Sequence, residues 1–356
     1  MKKVDVALLG ATGAVGQKFI QLLSGHPCLR IAELFASEKS SGKTLEEAAQ
    51  WIVSDGIPEE ARGIRIKSTA ELPQSTIVFS ALPSEVAKEV ELRNARAGKL
   101  VISKASALRC ESDVPILVPE INLEHLEILK IQKKNRKNRG CVITDPNCTT
   151  TILTLSLAPL QELGMKEVLV TTMQAISGAG FPGVAALSIH DNVIPHIGGE
   201  EEKVVRESRK ILGRCENGRI HDADLKIFAS CNRVSVIDGH TESVHVRFRE
   251  KVEPENVKEL LRNFRSLPQK LELHSAPKQP VIVRKEEDRP QPRLDRGSGN
   301  GMAVTVGRVR EGIDERSVAF TVCGHNTVRG AAGASILDVE LLLKTGMINE
   351  LVGDVL

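Results

Sequence analysis

Through the first 145 residues the apolar positions fall in short unbroken runs, separated by glycine turns or small polar loops. Val4 to Leu9, Arg30 to Ala36, Thr76 to Ala81, Leu100 to Ser103 and Cys141 to Thr144 are such runs, and they predict the buried strands of an open parallel sheet. Between the first two, Val15, Phe19, Leu22 and Leu23 share one face of a helix. After Thr144 the pattern changes. A helix starts near Cys148, with an expected kink at Pro159 and a stop at Gly164. Lys166 to Ser177 reads as a strand, and Val244, Val246 and Phe248 alternate with His245 and Arg247. Residues 284–301 read as a long loop, strands resume at Met302 to Arg310 and Ser317 to Cys323, and an amphipathic helix ends near Gly346. The expected class is α/β: a first domain of residues 1–147 joined by a returning helix (326–356), with a mixed α+β domain of residues 148–325 between them.

The turn after the first strand is Gly10-Ala11-Thr12-Gly13-Ala14-Val15-Gly16. Strand, glycine turn and helix in that order define a dinucleotide fingerprint, here spaced GxxGxxG, with the pyrophosphate on the helix start. At the end of the second strand, where NAD-binding folds place an acid, the chain reads Ser37-Glu38-Lys39-Ser40-Ser41-Gly42-Lys43. Two cations and three hydroxyls suit a ribose 2′-phosphate, so NADP is the expected cofactor. Glu38 either opposes that reading or turns to solvent. The loops Leu82-Pro83-Ser84 and Lys104-Ala105-Ser106 follow later strands and should flank nicotinamide and substrate.

Composition narrows the class. The 356 residues carry a net charge of +2, 26% charged residues, 3% aromatics and no tyrosine. Nothing in that balance points to nucleic acid or membrane as a partner. The basic run Lys133 to Arg139 reads as a solvated loop. No signal h-region or membrane span is present, and the first strand begins too early to leave room for a targeting peptide. Seven scattered cysteines without CxxC pairs argue against zinc and disulfides and for a reducing, cytoplasmic setting.

Candidate chemistry centres on Thr144-Asp145-Pro146-Asn147-Cys148-Thr149-Thr150-Thr151. A cysteine at a helix start has the positive end of the dipole beneath its sulfur, which favours thiolate. The threonine hydroxyls are expected to satisfy first-turn N–H groups, and the Asn147 amide to face developing negative charge. Gln174, before the glycine-rich exit Ser177-Gly178-Ala179-Gly180, is placed to meet a substrate carbonyl. Arg109 is placed to reach an anion in the crevice. Glu200 and Lys203 share one helix face. His240, after the Asp238-Gly239 turn, lies at a strand mouth where a general base would sit.

These motifs together resemble the aspartate-semialdehyde dehydrogenase family, in its archaeal and fungal branch. The matching pieces are Gly10 to Gly16, Asp145-Pro-Asn-Cys148-Thr-Thr, Ser177 to Gly180, Gly199-Glu-Glu-Glu-Lys203, Arg233-Val-Ser-Val-Ile-Asp-Gly-His240 and Asn326-Thr-Val-Arg-Gly330-Ala-Ala-Gly, in the family's order. The resemblance implies a Rossmann-type NADP-binding domain plus a catalytic and dimerisation domain of the glyceraldehyde-3-phosphate dehydrogenase kind. It implies reversible phosphorylating oxidation of aspartate semialdehyde through a cysteine thioester, serving threonine, methionine, lysine and diaminopimelate biosynthesis, in a homodimer or homotetramer. Cys148 would be the nucleophile, His240 the acid/base, Asn147 an oxyanion donor and Gln174 the residue orienting the acyl group. Arg233 would clamp the α-carboxylate, Glu200 the amino group, and Arg109 with Lys203 the phosphate. Gly10 to Gly16, Ser37, Lys39, Ser40, Ser84, Ser177, Gly178, Asn326 and Gly330 would surround the cofactor. Two positions depart from the family pattern: Lys104 stands where Asn is expected, and Lys39 where Arg is usual. Malonyl-CoA reductase, built on the same scaffold, is the alternative, but its substrate has no amino group to engage Glu200.

Overall fold

The computed structural model describes residues 3–353, so residues 1–2 and 354–356 of the expected first domain lie outside the described residues. The first sheet has six parallel strands: β1 (Val4–Leu9), β2 (Leu29–Ala36), β3 (Ile66–Ser68), β4 (Ile77–Ser80), β5 (Leu100–Ser103) and β6 (Cys141–Thr144). Their spatial order is β3-β2-β1-β4-β5-β6. The order reverses between β1 and β4, and ligands of open α/β sheets bind outside the strand carboxyl ends at such a switch. Every residue of β4, β5 and β6 is buried, as unbroken apolar runs require when helices cover both faces. The covering helices are α1 (Ala14–Leu23), α2 (Ser84–Arg96) and α3 (Ile128–Arg136).

The chain then enters α4 (Cys148–Leu157) and a second sheet. Its strands are β7 (Met165–Gln174), β10 (Lys226–Arg233), β11 (His240–Phe248), β12 (Val281–Val283), β13 (Val304–Glu311) and β14 (Ser317–Gly324), and a small hairpin, β8 (Arg214–Glu216) with β9 (Arg219–His221), stands apart. The order is β10-β7-β11-β14-β13-β12, with mixed parallel and antiparallel pairs. One face packs on α4 and on α5 (Glu200–Ile211), where Ile152, Leu155, Val204 and Ile211 meet Val170, Val244 and Phe320 in one core. The other face leaves Leu169 and Phe228 exposed, side by side on neighbouring strands.

The last long helix, α6 (Gly333–Thr345), returns to the first sheet, where Ile336, Val339 and Leu342 join the core of Val6, Leu8 and Ile143. It is buried on all sides from Gly333 to Leu342 rather than amphipathic. Two further expectations are corrected. Helix α4 is not kinked at Pro159; it ends at Leu157, and Pro159 begins a 3-10 turn that stops at the left-handed Gly164. The basic run is not a loop: Lys133, Lys134 and Arg136 form the last turn of α3, where cations oppose the dipole, and Arg136 pairs with Asp113. Residues 284–301 remain largely irregular, around a short helix (Pro292–Asp295) whose Asp295 pairs with Arg284 and Arg289. Among the described residues no helix is long and apolar enough to cross a membrane.

Gly10 shows why the fingerprint needs glycine. It has φ +82°, and a Cβ there would lie 2.5 Å from the Ala81 carbonyl oxygen. Gly10→Ala should therefore cost about 2–4 kcal/mol of stability in urea unfolding. A change below about 0.5 kcal/mol would contradict this close approach.

Candidate active site

The nucleophile's position follows from local geometry. Thr144 ends β6, Asp145-Pro146 turns the chain, and Asn147 caps α4 by accepting from the N–H groups of Thr149 and Thr150. The threonine hydroxyls do not cap the helix, against expectation. Those of Thr151 and Thr154 donate to the carbonyls of Asn147 and Thr150, and that of Thr149 to Glu200. The capping amide leaves Cys148 as the first helical residue. Its Sγ lies 3.1 Å from Nε2 of His240, the first residue of β11. The Ala175 backbone N–H donates to His240 Nδ1 at 3.0 Å. A backbone amide can only donate, so Nδ1 is unprotonated and the neutral ring carries its proton on Nε2, aimed at the sulfur.

Burial governs the charge of this pair. A helix start contributes about 1 kcal/mol at most, under one pKa unit. Desolvation is larger and pushes the Cys148 thiol up to about 11, with the Glu200 carboxylate raising it further and Lys104 and Arg109 opposing. Burial, assisted by Arg233 and His325, holds His240 down at about 3. Both shifts favour a neutral thiol beside a neutral imidazole at rest, opposite in direction to the thiolate expected from the helix start.

Around the pair lie two charged side chains of opposite sign. Arg233, the last residue of β10, is buried, donates from Nη1 to the Ala175 carbonyl at 2.8 Å, and has no carboxylate partner among the described residues. Gly178 packs against it: a Cβ there would lie 2.8 Å from Arg233 Nη1 and 3.1 Å from His240 Cε1. Glu200 begins α5 and is buried. Its Oε1 accepts from Asn147 Nδ2 at 2.9 Å and Thr149 Oγ1 at 3.3 Å, and Lys203 Nζ is 3.8 Å from Oε2. A buried guanidinium without a counter-ion and a buried carboxylate beside one thiol make a receptor for a zwitterion. The Asn147 amide nitrogen, expected to face an oxyanion, is engaged by Glu200. Gln174 is buried at the end of β7 and donates to Thr172 Oγ1 at 3.3 Å.

Arg109 departs most from its expected role. It is buried, its Nη1 donates to Glu207 Oε1 at 2.9 Å and its Nη2 to the Lys104 carbonyl at 2.6 Å, so it is not free to take an anion in this geometry. Glu207 Oε2 in turn accepts from the Asn147 backbone N–H at 2.6 Å. Sequence reasoning missed Glu207, which braces the nucleophile's turn. Its signal was present, since Glu207 follows Lys203 by four residues and Glu200 by seven on one helical face.

The candidate dinucleotide residues of the first domain follow the carboxyl ends of β1, β2 and β4. Gly16 allows α1 to cross the end of β1, since a Cβ there would come within 2.2 Å of the Gly10 carbonyl oxygen. At the exposed Gly13 a Cβ would meet only that same oxygen, at 3.6 Å, leaving open space at the start of α1 beside Thr12, Ala14 and Val15. Such an open helix start, at a sheet's switch point, fits a pyrophosphate. Ser37 and Lys39 are exposed with Ser40 beside them, and Glu38 accepts from the Ser68 hydroxyl. The corner thus presents hydroxyls and a cation while its acid is engaged elsewhere, which fits a 2′-phosphate. Ser84, at the start of α2, lies 2.9 Å from Ser106 between their hydroxyl oxygens. Asn326 is buried with its amide fully used, accepting from Gly239 N–H and donating to Ser177 Oγ, both at 2.8 Å. Gly330 packs on the nucleophile itself: a Cβ there would lie 2.6 Å from Cys148 Cβ.

A dinucleotide crevice joined to a half-buried thiol against a buried imidazole is the arrangement of an aldehyde dehydrogenase working through a cysteine. Family models agree: "Semialdehyde dehydrogenase, NAD binding domain" matches residues 5–129, and "Semialdehyde dehydrogenase, dimerisation domain" matches 157–329. An aspartate-semialdehyde dehydrogenase of Archaeoglobus fulgidus is 52% identical, covering 97% of this chain and 100% of that one. A Candida albicans aspartate semialdehyde dehydrogenase, solved with NADP, superposes with a TM-score of 0.88 at 40% identity, covering 97% of this chain and 99% of that one. A malonyl CoA reductase (NADP) of Metallosphaera sedula is 36% identical over 98% of this chain and 99% of its own. The chain belongs to the aspartate-semialdehyde dehydrogenase family.

Because the Glu200 charge raises the Cys148 pKa, Glu200→Gln should favour thiolate. At pH 8 alkylation of Cys148, followed on its peptide by mass spectrometry, should quicken by about threefold to tenfold. A slower reaction would contradict the assigned charge coupling.

Proposed function

We propose that this chain catalyses the reversible, NADP-dependent, phosphorylating oxidation of L-aspartate 4-semialdehyde to L-4-aspartyl phosphate through a thioester on Cys148. In the reductive direction this would feed homoserine, and from it threonine and methionine, with lysine as a further branch. The observation that carries the proposal is the uncompensated Arg233 guanidinium set with Glu200 beside the Cys148–His240 pair. An α-amino acid brings one anion and one cation, and these two side chains complement both.

Substrate binding then does chemical work. An ammonium group at Glu200 cancels the charge that holds the thiol proton, so arrival of the amino acid itself favours the nucleophilic thiolate. The thiol proton leaves to solvent, which the half-buried Cys148 still meets, and the thiolate Sγ adds to the aldehyde carbon; the carbonyl π bond breaks, and the alkoxide formed accepts from His240 Nε2–H, which the Ala175 amide keeps in the donating tautomer. When bound, the nicotinamide supplies the hydride acceptor that turns the thiohemiacetal on Cys148 into a thioester. Gln174, at the strand end beside His240, orients the acyl group. Lys203, half-exposed, draws phosphate, while Arg109 acts through Glu207 to hold Asn147. The dinucleotide would be held by Gly10 to Gly16, Ser37, Lys39, Ser40, Ser84, Ser177 and Gly178.

The exposed outer face of the second sheet supports a homodimer. Phe228 is 65% and Leu169 44% exposed on adjacent strands, where a monomer gains nothing by showing two large apolar side chains. Phe228→Glu should convert dimer to monomer in sedimentation; an unchanged mass would remove this face from the interface. The unpaired thiols fit a reducing compartment.

The function is tested by steady-state assay with aspartate semialdehyde and phosphate against malonyl-CoA, each with NADP and NAD. Turnover is expected with the semialdehyde and NADP and should be lost in Cys148→Ser with dinucleotide binding retained. Preference for malonyl-CoA would establish the reductase reading instead.

A further inference from the structure

Beneath the nucleophile's turn lies a buried polar cluster that the proposed chemistry does not use. Lys104 follows β5, and its Nζ is buried, lies 3.4 Å from Asp145 Oδ2, and makes no hydrogen bond. Asp145 precedes Asn147-Cys148 by two and three residues, is wholly buried, and accepts from the Ser335 hydroxyl. Asp338, three residues after Ser335 on the same face of α6, is also wholly buried. Neither Asp338 oxygen receives a hydrogen bond from any donor, and Asp145 Oδ1 is likewise unsatisfied. Ser335 bonds Asp145, and Asp338 follows it by three residues on the same helix face, which sets the Asp338 carboxyl beside that of Asp145.

Two ionised carboxylates cannot share a dry contact with no donor between them; one must carry a proton. The charged groups facing the cluster are Lys104 from the β5 loop, Asp145 from the β6–α4 turn, Arg109 and Cys148 toward Lys104, and Arg329 from the segment before α6. Arg329 is spoken for by Glu120, which accepts from both of its terminal nitrogens at 2.8 and 2.6 Å. One cation, one anion and one neutral acid therefore remain, and they balance.

We propose that Asp338 is a protonated carboxylic acid donating to Asp145, and that Lys104, Asp145 and Asp338 form a charge-neutral triad that positions the turn carrying Cys148. The triad joins three segments, the β5 loop, the nucleophile's turn and α6. Lys104 supplies its cation. Apart from the Ser335 hydroxyl on Asp145, the two carboxyls and the ammonium find no compensation among the described residues except in one another, so loss of any member leaves a buried charge or lone pair uncompensated. Burial and the Asp145 charge raise the Asp338 pKa well above its ordinary value, in accord with this assignment.

The sign of the pH dependence follows. Unfolded, Asp338 ionises near about pH 4; folded, it keeps its proton to higher pH. The folded state then holds one proton more, so this group's stabilisation is full at acid pH and is lost as pH rises through the folded pKa, by up to about tenfold in the folding constant per unit. Asp338→Asn keeps the donor and the shape but cannot titrate. Its stability relative to the parent, from urea unfolding at pH 5, 6.5 and 8, should rise with pH. A difference that is flat or falls, or an Asp338→Asn chain that does not fold at any of these pH values, would overturn the assignment. Positioning is read separately, on the alkylation rate of Cys148 at pH 8, which does not depend on the enzyme's substrate. Lys104→Asn should slow it by about tenfold, and the neutral double substitution Lys104→Asn with Asp145→Asn should restore it. Equal rates in the single and double variants, or a single variant as fast as the parent, would show that Lys104 does not act through Asp145.

Discussion

The catalytic centre depends on one close approach, the contact of Gly330 with Cys148. A Cβ at Gly330 would lie 2.6 Å from the nucleophile's own Cβ, so the segment leading into α6 lies directly on the start of α4. That contact covers one side of Cys148 and leaves the residue half-buried. It also brings Ser335 and Asp338 onto the turn that carries the nucleophile. The last helix is thus part of the active site's floor, and its burial on all sides follows from that role.

This burial around Cys148 has an electrostatic consequence. Desolvation favours the neutral thiol and the neutral imidazole, and the charges that tune the thiol are set one layer out. Glu200 opposes ionisation of the thiol, while Lys104 and Arg109 support it. Glu200 is the one of these that an amino-acid substrate would neutralise. On the proposed reading, specificity and activation would reside in the same carboxylate, a more economical arrangement than separate binding and activating groups.

Much of this was legible in the chain. Unbroken apolar runs against an alternating one separated the two sheets, because strands covered on both faces leave no polar positions. The glycine turn, Cys148 after Asp-Pro-Asn, and His240 after Asp-Gly were readable because each marks a backbone corner that only certain residues can make. What could not be read was which polar side chains consume one another. Arg109 has the same chemistry whether free or paired, and only the fold shows Glu207 beside it. Asn147 could have faced an oxyanion, yet Glu200 engages its amide nitrogen. Likewise Thr151 bonds back to the Asn147 carbonyl and Thr149 reaches Glu200 rather than capping α4, since Asn147 Oδ1 had already satisfied the amides of Thr149 and Thr150. Lys104 and Asp145 were visible in the chain, but Asp338, which joins them in the buried cluster, lies more than two hundred residues from Lys104 in sequence.

The most direct test of Cys148 as the covalent centre is mass spectrometry of the protein mixed with aspartate semialdehyde and NADP in the absence of phosphate, then quenched in acid. A single aspartyl adduct on the Cys148 peptide, discharged when phosphate is added before the quench, is the predicted result. An adduct on another residue, or turnover without any acyl intermediate on Cys148, would contradict it.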